Sequence, residues 1–206
     1  MSTAFVVKLL DEIQKIMCDN RDYLIELDSV VGDGDLGLTM SDGFKAAYEK
    51  VMGIEEKDTG KVLYTAGKAM STAVPSTMGT LMASGLMEAG KRLKGKEELS
   101  NQDITLLFKG YLEGVANRGK AKVGEKTFLD GLYPAVEALE EAIDTDESLE
   151  SAAKKAYEAA CKGFENTTTM IAVHGRAATR GEASRTLQDP GAAVAMLMMK
   201  GFCNLF

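Results

Sequence analysis

Apolar residues recur along this chain at spacings of three and four, the period at which helical side chains return to one face. Phe5, Val6, Leu9, Leu10, Ile13, Ile16 and Met17 set the pattern and predict a first amphipathic helix. The same periodicity predicts helices over about 39–53, 60–72, 76–94, 102–117, 128–144, 148–170 and 190–205, about eight in all. Alternation of β-branched residues, the mark of a half-buried strand, is nearly absent. Asn101-Gln102-Asp103 and Asp189-Pro190 read as helix starts, the second with proline in the first turn, where its missing N–H costs nothing. Three prolines leave the long helices unbroken, and most of the 21 glycines fall in clusters between them, so the chain is expected to be all-α. No Pro-, Gly- or Ser-rich linker, fixed-period repeat or composition shift divides it. One domain over 1–206 is therefore expected, with the Lys/Glu-rich 91–99 stretch as an exposed loop. Methionines in the helical patterns (Met70, Met78, Met82, Met87, Met196, Met198 and Met199) are expected to pack in the core.

Charge narrows the partners. The 206 residues carry 24 Lys and Arg against 31 Asp and Glu, a net charge of −7, which argues against a nucleic acid or an anionic membrane surface. No apolar run approaches the roughly 18 residues of a spanning helix. Met1-Ser2-Thr3-Ala4 lacks a basic start, and Asp11 and Glu12 interrupt what would be a signal peptide's apolar part, so a cytoplasmic location is expected. Cys18, Cys161 and Cys203 are odd in number and widely spaced, indicating neither a disulfide framework nor a thiolate zinc site. With His174 as the one histidine, His-rich metal sites and histidine relays within the chain are excluded.

The most informative segment runs from Leu27-Asp28 through Gly32-Asp33-Gly34-Asp35 to Met40, where three carboxylates gather in a Gly-rich turn. Carboxylates that close repel unless a cation joins them, and oxygen ligands without His or Cys select Mg²⁺ or Ca²⁺. The alternative is a solvated turn in which Asp33 or Asp35 caps the next helix. Gly32-x-Gly34-x-x-Gly37 matches a dinucleotide fingerprint as a string, but no strand precedes it. An EF-hand starting at Asp33 fails, with Leu38 at its sixth position and Phe44 at its twelfth. Three further segments could receive an anion. Ser76-Thr77-Met78-Gly79 opens a helix whose free N–H groups suit one, and whose bland alternative is an ordinary Ser cap. Arg118 to Thr127 is a basic, Gly-bounded loop in an acidic protein. His174-Gly175-Arg176 through Asp189-Pro190-Gly191 is too long for a plain turn, and Arg176 could fork onto a phosphate, with His174 an orienting or local group.

Taken in order, Leu27-Asp28 to Met40, Val74 to Gly79, Asn117 to Thr127 with Asp130 and Pro134, and Gly175-Arg176-Ala177 through Asp189-Pro190-Gly191-Ala192 resemble the nucleotide-binding L subunit of bacterial dihydroxyacetone kinases, over essentially the whole chain. The resemblance implies a closed barrel of eight antiparallel helices with ADP or ATP at one end, held through two Mg²⁺ ions. It places Asp28, Asp33 and Asp35 on metal ligands. Leu36, Gly37, Leu38, Thr39, Thr77 and Met78 then fall on phosphate-side positions, Gly119 and Phe128 line the nucleotide, and Arg176 with Asp189, Pro190 and Gly191 completes the site. In that family a phosphoryl group passes from a phosphohistidine carrier to bound ADP and on to dihydroxyacetone, or a related keto-sugar, on a K-type subunit. Two partners are implied, with a homodimer left open, and the family's own functional histidines lie on those partners rather than at His174.

Departures from the family pattern cluster on the phosphate side. Leu36 stands where the family has His, Thr39 where it has Asn, and Pro75-Ser76-Thr77-Met78-Gly79 replaces a Gly-Gly-Ala/Ser-Ser-Gly loop. They keep open a metal- or nucleotide-binding regulatory module of the same fold without turnover, beside the kinase subunit. The blandest alternative is an acidic all-α protein with one structural Mg²⁺ or Ca²⁺ site.

Overall fold

In the computed structural model, which describes residues 1–206, the periodicity resolves into nine α-helices. They are α1 (Thr3–Asp19), α2 (Arg21–Val31), α3 (Leu36–Val51), α4 (Thr59–Ala73), α5 (Thr77–Arg92), α6 (Asn101–Gly119), α7 (Phe128–Asp144), α8 (Leu149–Asn166) and α9 (Pro190–Cys203). Two 3₁₀ segments, Thr167–Thr169 and Arg176–Ser184, lie between α8 and α9. The sole strand-like pairing is an isolated bridge between Ser2 and Glu98.

Eight of the helices close a ring. Each of α1, α3, α4, α5, α6, α7, α8 and α9 packs on the next, and α9 returns to α1. Because successive members run in opposite directions, the starts of α3, α5, α7 and α9 share one end, where their first residues border a common cavity. The opposite end is tied by the Met1 amine donating to the Leu99 carbonyl at 2.7 Å and by Thr3 Oγ1 donating to the Lys57 carbonyl at 2.8 Å. One cluster of 48 buried residues fills the interior and draws on all nine helices, so no part of the ring packs around a separate large core. Inside it, α9 is apolar almost all round, with Ala192 to Ala195, Leu197 to Met199 and Phe202 buried, as befits a helix enclosed by α1, α7 and α8.

The ninth helix, α2, falls outside the eight expected. Only Leu24 and Val31 of its 11 residues are buried, too sparse a stripe for the periodicity to register. It follows a break at Asn20, packs on α3 at the cavity end of the ring, and so brings Asp28 to that end. The next helix starts at Leu36, earlier than the pattern predicts, because its first turn runs into the Gly-Asp loop. Along 91–99 the chain is exposed except for Leu93 and Leu99, which turn inward.

Small residues set the helix spacing. At Gly85 of α5 an added Cβ would lie 2.6 Å from the ring of Tyr111, and at Gly114 of α6 it would lie 2.5 Å from the Ser84 carbonyl. Tyr111 is enclosed on all sides, its hydroxyl donating to Met82 Sδ at 3.3 Å, and burial pushes its ionisation far up. Gly85→Ala is therefore expected to lower stability by about 1–3 kcal/mol, because the overpacking exceeds the roughly 1 kcal/mol that Ala gains in helix propensity. Urea unfolding of the two proteins measures the difference, and an equal or higher midpoint for the variant would contradict the packing argument.

Candidate functional site

The acidic loop is built by its own backbone. α2 stops where Gly32 and Gly34 allow the chain to turn, Gly34 with φ of 75°. Asp28, half-buried on the last turn of α2, accepts N–H bonds from Gly34 at 2.9 Å and from Leu36 at 3.4 Å. One carboxylate thus ties the loop to the start of α3. Burial pushes the Asp28 carboxyl up, the two N–H groups oppose this, and the charges of Asp33 and Asp35 push the same way as burial. Asp35 occupies the N-cap position of α3 but makes no capping bond, so helix capping does not account for it.

The carboxylates of Asp28, Asp33 and Asp35 each offer one oxygen within 4.8 Å of the others. The cation paired with them is Arg176, whose Nη2 donates to Asp33 Oδ2 at 2.6 Å. Three carboxylates against one guanidinium leave a surplus that a divalent cation complements, and an all-oxygen set suits Mg²⁺ or Ca²⁺. With Arg176 69% and Asp33 45% exposed, their pair contributes under about 1 kcal/mol to stability, so Arg176 can exchange Asp33 for another anion at little cost.

A cavity of about 770 Å³ opens beside this cluster. Its lining includes Asp28, Asp33, Asp35, Leu36, Thr77, Met78, Gly119, Phe128, Arg176, Asp189, Pro190 and Gly191. Three residues grouped with these in the sequence reading are not in the lining: Gly37 packs on Arg21 and Ile25 of α2, Leu38 is 48% exposed, and Thr39 is buried beside Ser76 at 3.5 Å. The reason is geometric, since each helical residue turns about 100° from the last, and of that turn only Leu36, otherwise packed in the core, borders the cavity. Four helix N-termini converge here, each with the positive end of its peptide dipoles, although α9 offers no free N–H because Pro190 has none and Asp189 takes those of Gly191 and Ala192. Ser76 does cap α5, accepting from Gly79 N at 3.1 Å, which leaves Thr77 and Met78 in the first turn without intrahelical acceptors for their N–H groups.

In the basic 118–127 loop Lys120 and Lys122 are exposed, but the third lysine is not. Lys126 is 2% exposed, and its ammonium donates to the carbonyls of Thr167, Met170, Arg185 and Leu187, leaving no proton for a phosphate. Nothing in the sequence separates it from the solvated lysines around it. Asp130 stands at capping-box spacing after Thr127, a signal the sequence holds but the reading above did not use: it accepts from Thr127 N at 2.7 Å and from Gly124 N at 2.6 Å, holding the loop onto α7. His174 Nε2 lies 2.6 Å from Glu125 Oε2, an orienting contact at the cavity edge that holds the Glu125 carboxyl below its usual range. Asp189 caps α9 through Ala192 N at 2.7 Å.

With this geometry in hand, a family model described as the DAK2 domain matches residues 30–204. The chain belongs to the DAK2 family. It is 33% identical to the ADP-binding subunit DhaL of the PEP-dependent dihydroxyacetone kinase of Escherichia coli, over 97% of this chain and 95% of that one. Against the ADP-binding subunit DhaL of PEP-dependent dihydroxyacetone kinase 2 of Listeria innocua it is 30% identical, over 97% and 93%. It is 32% identical to the L-erythrulose 1-kinase of Mycolicibacterium smegmatis over 95% of its own length, but only 34% of that longer protein. The crystal structure of the dihydroxyacetone kinase of C. freundii in complex with AMP-PNP and Mg²⁺ shares the fold, with a TM-score of 0.75 at 21% identity over 98% of this chain and 34% of that one.

Within this DAK2 fold Asp189 is the most perturbed acid. Burial pushes its carboxyl up to about 7; the Ala192 N–H and Lys126 lower it, while Asp130 raises it. In the unfolded chain an aspartate titrates near 3.9, so between about pH 4 and 7 the folded state binds more protons and stability falls as pH rises, by an amount on the order of 2–4 kcal/mol. Asp189→Asn is expected to flatten that slope. Urea unfolding of both proteins from pH 4.5 to 8 measures it, and parallel profiles would contradict the assignment.

Proposed function

We propose that this chain is the nucleotide-binding subunit of a phosphoenolpyruvate-dependent kinase acting on dihydroxyacetone or a related short keto-sugar. The observation that carries the proposal is the convergence, at one end of the ring, of three carboxylates, Arg176 and four helix N-termini around a nucleotide-sized cavity. Full-length similarity to ADP-binding subunits supports the cofactor, and the erythrulose kinases among the relatives extend the substrate class to four-carbon ketoses. On this reading the chain has two partners, a phosphohistidine carrier and a K-type subunit that holds the sugar, and ADP bound in the cavity would supply the relay of the phosphoryl group between them.

Asp28, Asp33 and Asp35 would hold Mg²⁺, two ions by family resemblance. When bound, the metal supplies charge neutralisation for the phosphates and holds their oxygens in line. The chain's own residues do the rest. The N–H groups of Thr77 and Met78, at the start of α5, donate to phosphate oxygens, as the free donors of a helix N-terminus do. Arg176 leaves Asp33 to fork onto the transferring group, where charge spreads over several oxygens. Phe128, Leu129, Leu81 and Val115 give the cavity an apolar wall for the base and keep water from it.

The second reading, a binding module without turnover, draws on Leu36, Pro75 and Met78 in the lining where the family pattern has polar or glycine residues. Calorimetric titration of ADP into metal-free and Mg²⁺-loaded protein is expected to show binding only with Mg²⁺. Asp33→Ala should keep the helical circular dichroism while losing at least about tenfold in affinity for ADP with Mg²⁺. Unchanged affinity in that variant sinks the proposed metal site. In a mixture reconstituted with a K-type subunit and a phosphohistidine carrier, dihydroxyacetone phosphate should form, whereas ADP binding without product would favour the second reading.

A further inference from the structure

Between α8 and α9 the chain makes an excursion, Thr167 to Gln188, whose regular structure is limited to two 3₁₀ segments. It carries His174 and Arg176 to the cavity. A connection this long without a helix or strand of its own needs something to fix it. Lys126 enters its base from the neighbouring α6–α7 loop, with φ of 60°. Its Nζ donates to the carbonyls of Thr167 at 2.5 Å and Met170 at 3.4 Å on the outgoing limb. On the returning limb it donates to Arg185 at 3.1 Å and to Leu187. Three ammonium protons are shared among four carbonyl oxygens, the donor set that would otherwise coordinate a free monovalent cation.

Weaker ties follow the same geometry. Ala172 N donates to Ser184 Oγ at 3.0 Å across the two limbs, Asp189 N donates to Thr167 Oγ1 at 3.1 Å at the base, and Val173 N donates to the Glu125 carbonyl at 3.2 Å. None of these carries charge; the other charged tie between the limbs, Arg185 Nη1 donating to the Thr169 carbonyl at 2.7 Å, is half-exposed where Lys126 is buried, and Arg176 and the cavity-lining Gly175 lie beyond all of them.

We propose that Lys126 is a positioning residue: its buried ammonium serves as a built-in monovalent cation that closes the base of the 167–188 excursion and thereby aims Arg176 at the cavity. The closure stands on the contacts alone; that Arg176 is aimed at ADP rests on the function proposed above. Lys126→Ala leaves a carbonyl-lined space missing three carbons and a nitrogen, which n-propylammonium supplies.

Hydrogen exchange followed by mass spectrometry on the full chain, without nucleotide, tests the closure. In Lys126→Ala the amides of 170–187 should exchange about tenfold faster or more, with α3 to α5 unchanged. n-Propylammonium should restore protection, and tetramethylammonium at the same ionic strength should not. Unchanged exchange in 170–187, loss spread evenly over all helices, or failure of n-propylammonium to restore protection overturns the proposal. Lys126→Met, which keeps the stem buried, carries the exchange comparison should the alanine variant not fold. For the aim of Arg176, Lys126→Ala and Arg176→Ala should each weaken binding of ADP with Mg²⁺ about tenfold and, combined, weaken it no further. Additive losses overturn that link. If the unaltered protein binds no ADP, the nucleotide reading falls while exchange and rescue still decide the role of Lys126.

Discussion

Eight antiparallel helices closed into a ring must present alternate N-termini at one end, and the candidate site depends on that constraint. Here the starts of α3, α5, α7 and α9 meet around one cavity. Each brings roughly half a positive charge from its aligned peptides, and α5 also brings the unpaired N–H groups of Thr77 and Met78. In a chain of net charge −7 these helix ends add to the few side-chain cations, Arg118, Lys126 and Arg176, that border the cavity. An acidic balance argues against an extended polyanion, which needs a basic face. It does not argue against a small anion received by helix ends.

Against that positive end the chain sets three carboxylates. Left alone they would repel one another, and the fold relieves only part of this: Asp28 is engaged by two backbone N–H groups and Asp33 by Arg176. Positive helix ends beside a surplus of negative side chains make a site with two complementary halves, one for a cation and one for an anion. A magnesium-bound polyphosphate satisfies both at once. Either ion by itself would leave one half uncompensated.

The ring was legible because its eight members each bury a continuous stripe, and the loops that gather Asp28, Asp33 and Asp35 were legible because like charges in a Gly-rich turn need an explanation. Helix α2 was not, since two buried residues leave no period to detect. Where Leu36 to Thr39 would sit was legible only in part: a motif is contiguous along the sequence, but a helix turns its members to different sides, and of these four only Leu36 borders the cavity. Lys126 was hidden because its partners are carbonyls of residues 167 to 187, and backbone acceptors carry no sequence signature.

The departures from the family pattern weigh differently once placed in the fold. Pro75 lacks an N–H, but it lies one residue before the N-cap Ser76, outside the first turn of α5, so the donors of Thr77 and Met78 survive. Met78 replaces a hydroxyl with a thioether, which removes a side-chain donor and leaves its backbone N–H in place. Leu36 turns its side chain into the core at 4% exposure, while its N–H goes to Asp28. These substitutions subtract side-chain contacts from the phosphate side and leave the helix-end donors and the three carboxylates intact. Because donors supplied by a helix terminus do not depend on which residue stands there, proline excepted, this part of the site tolerates sequence change that a constellation of side chains would not.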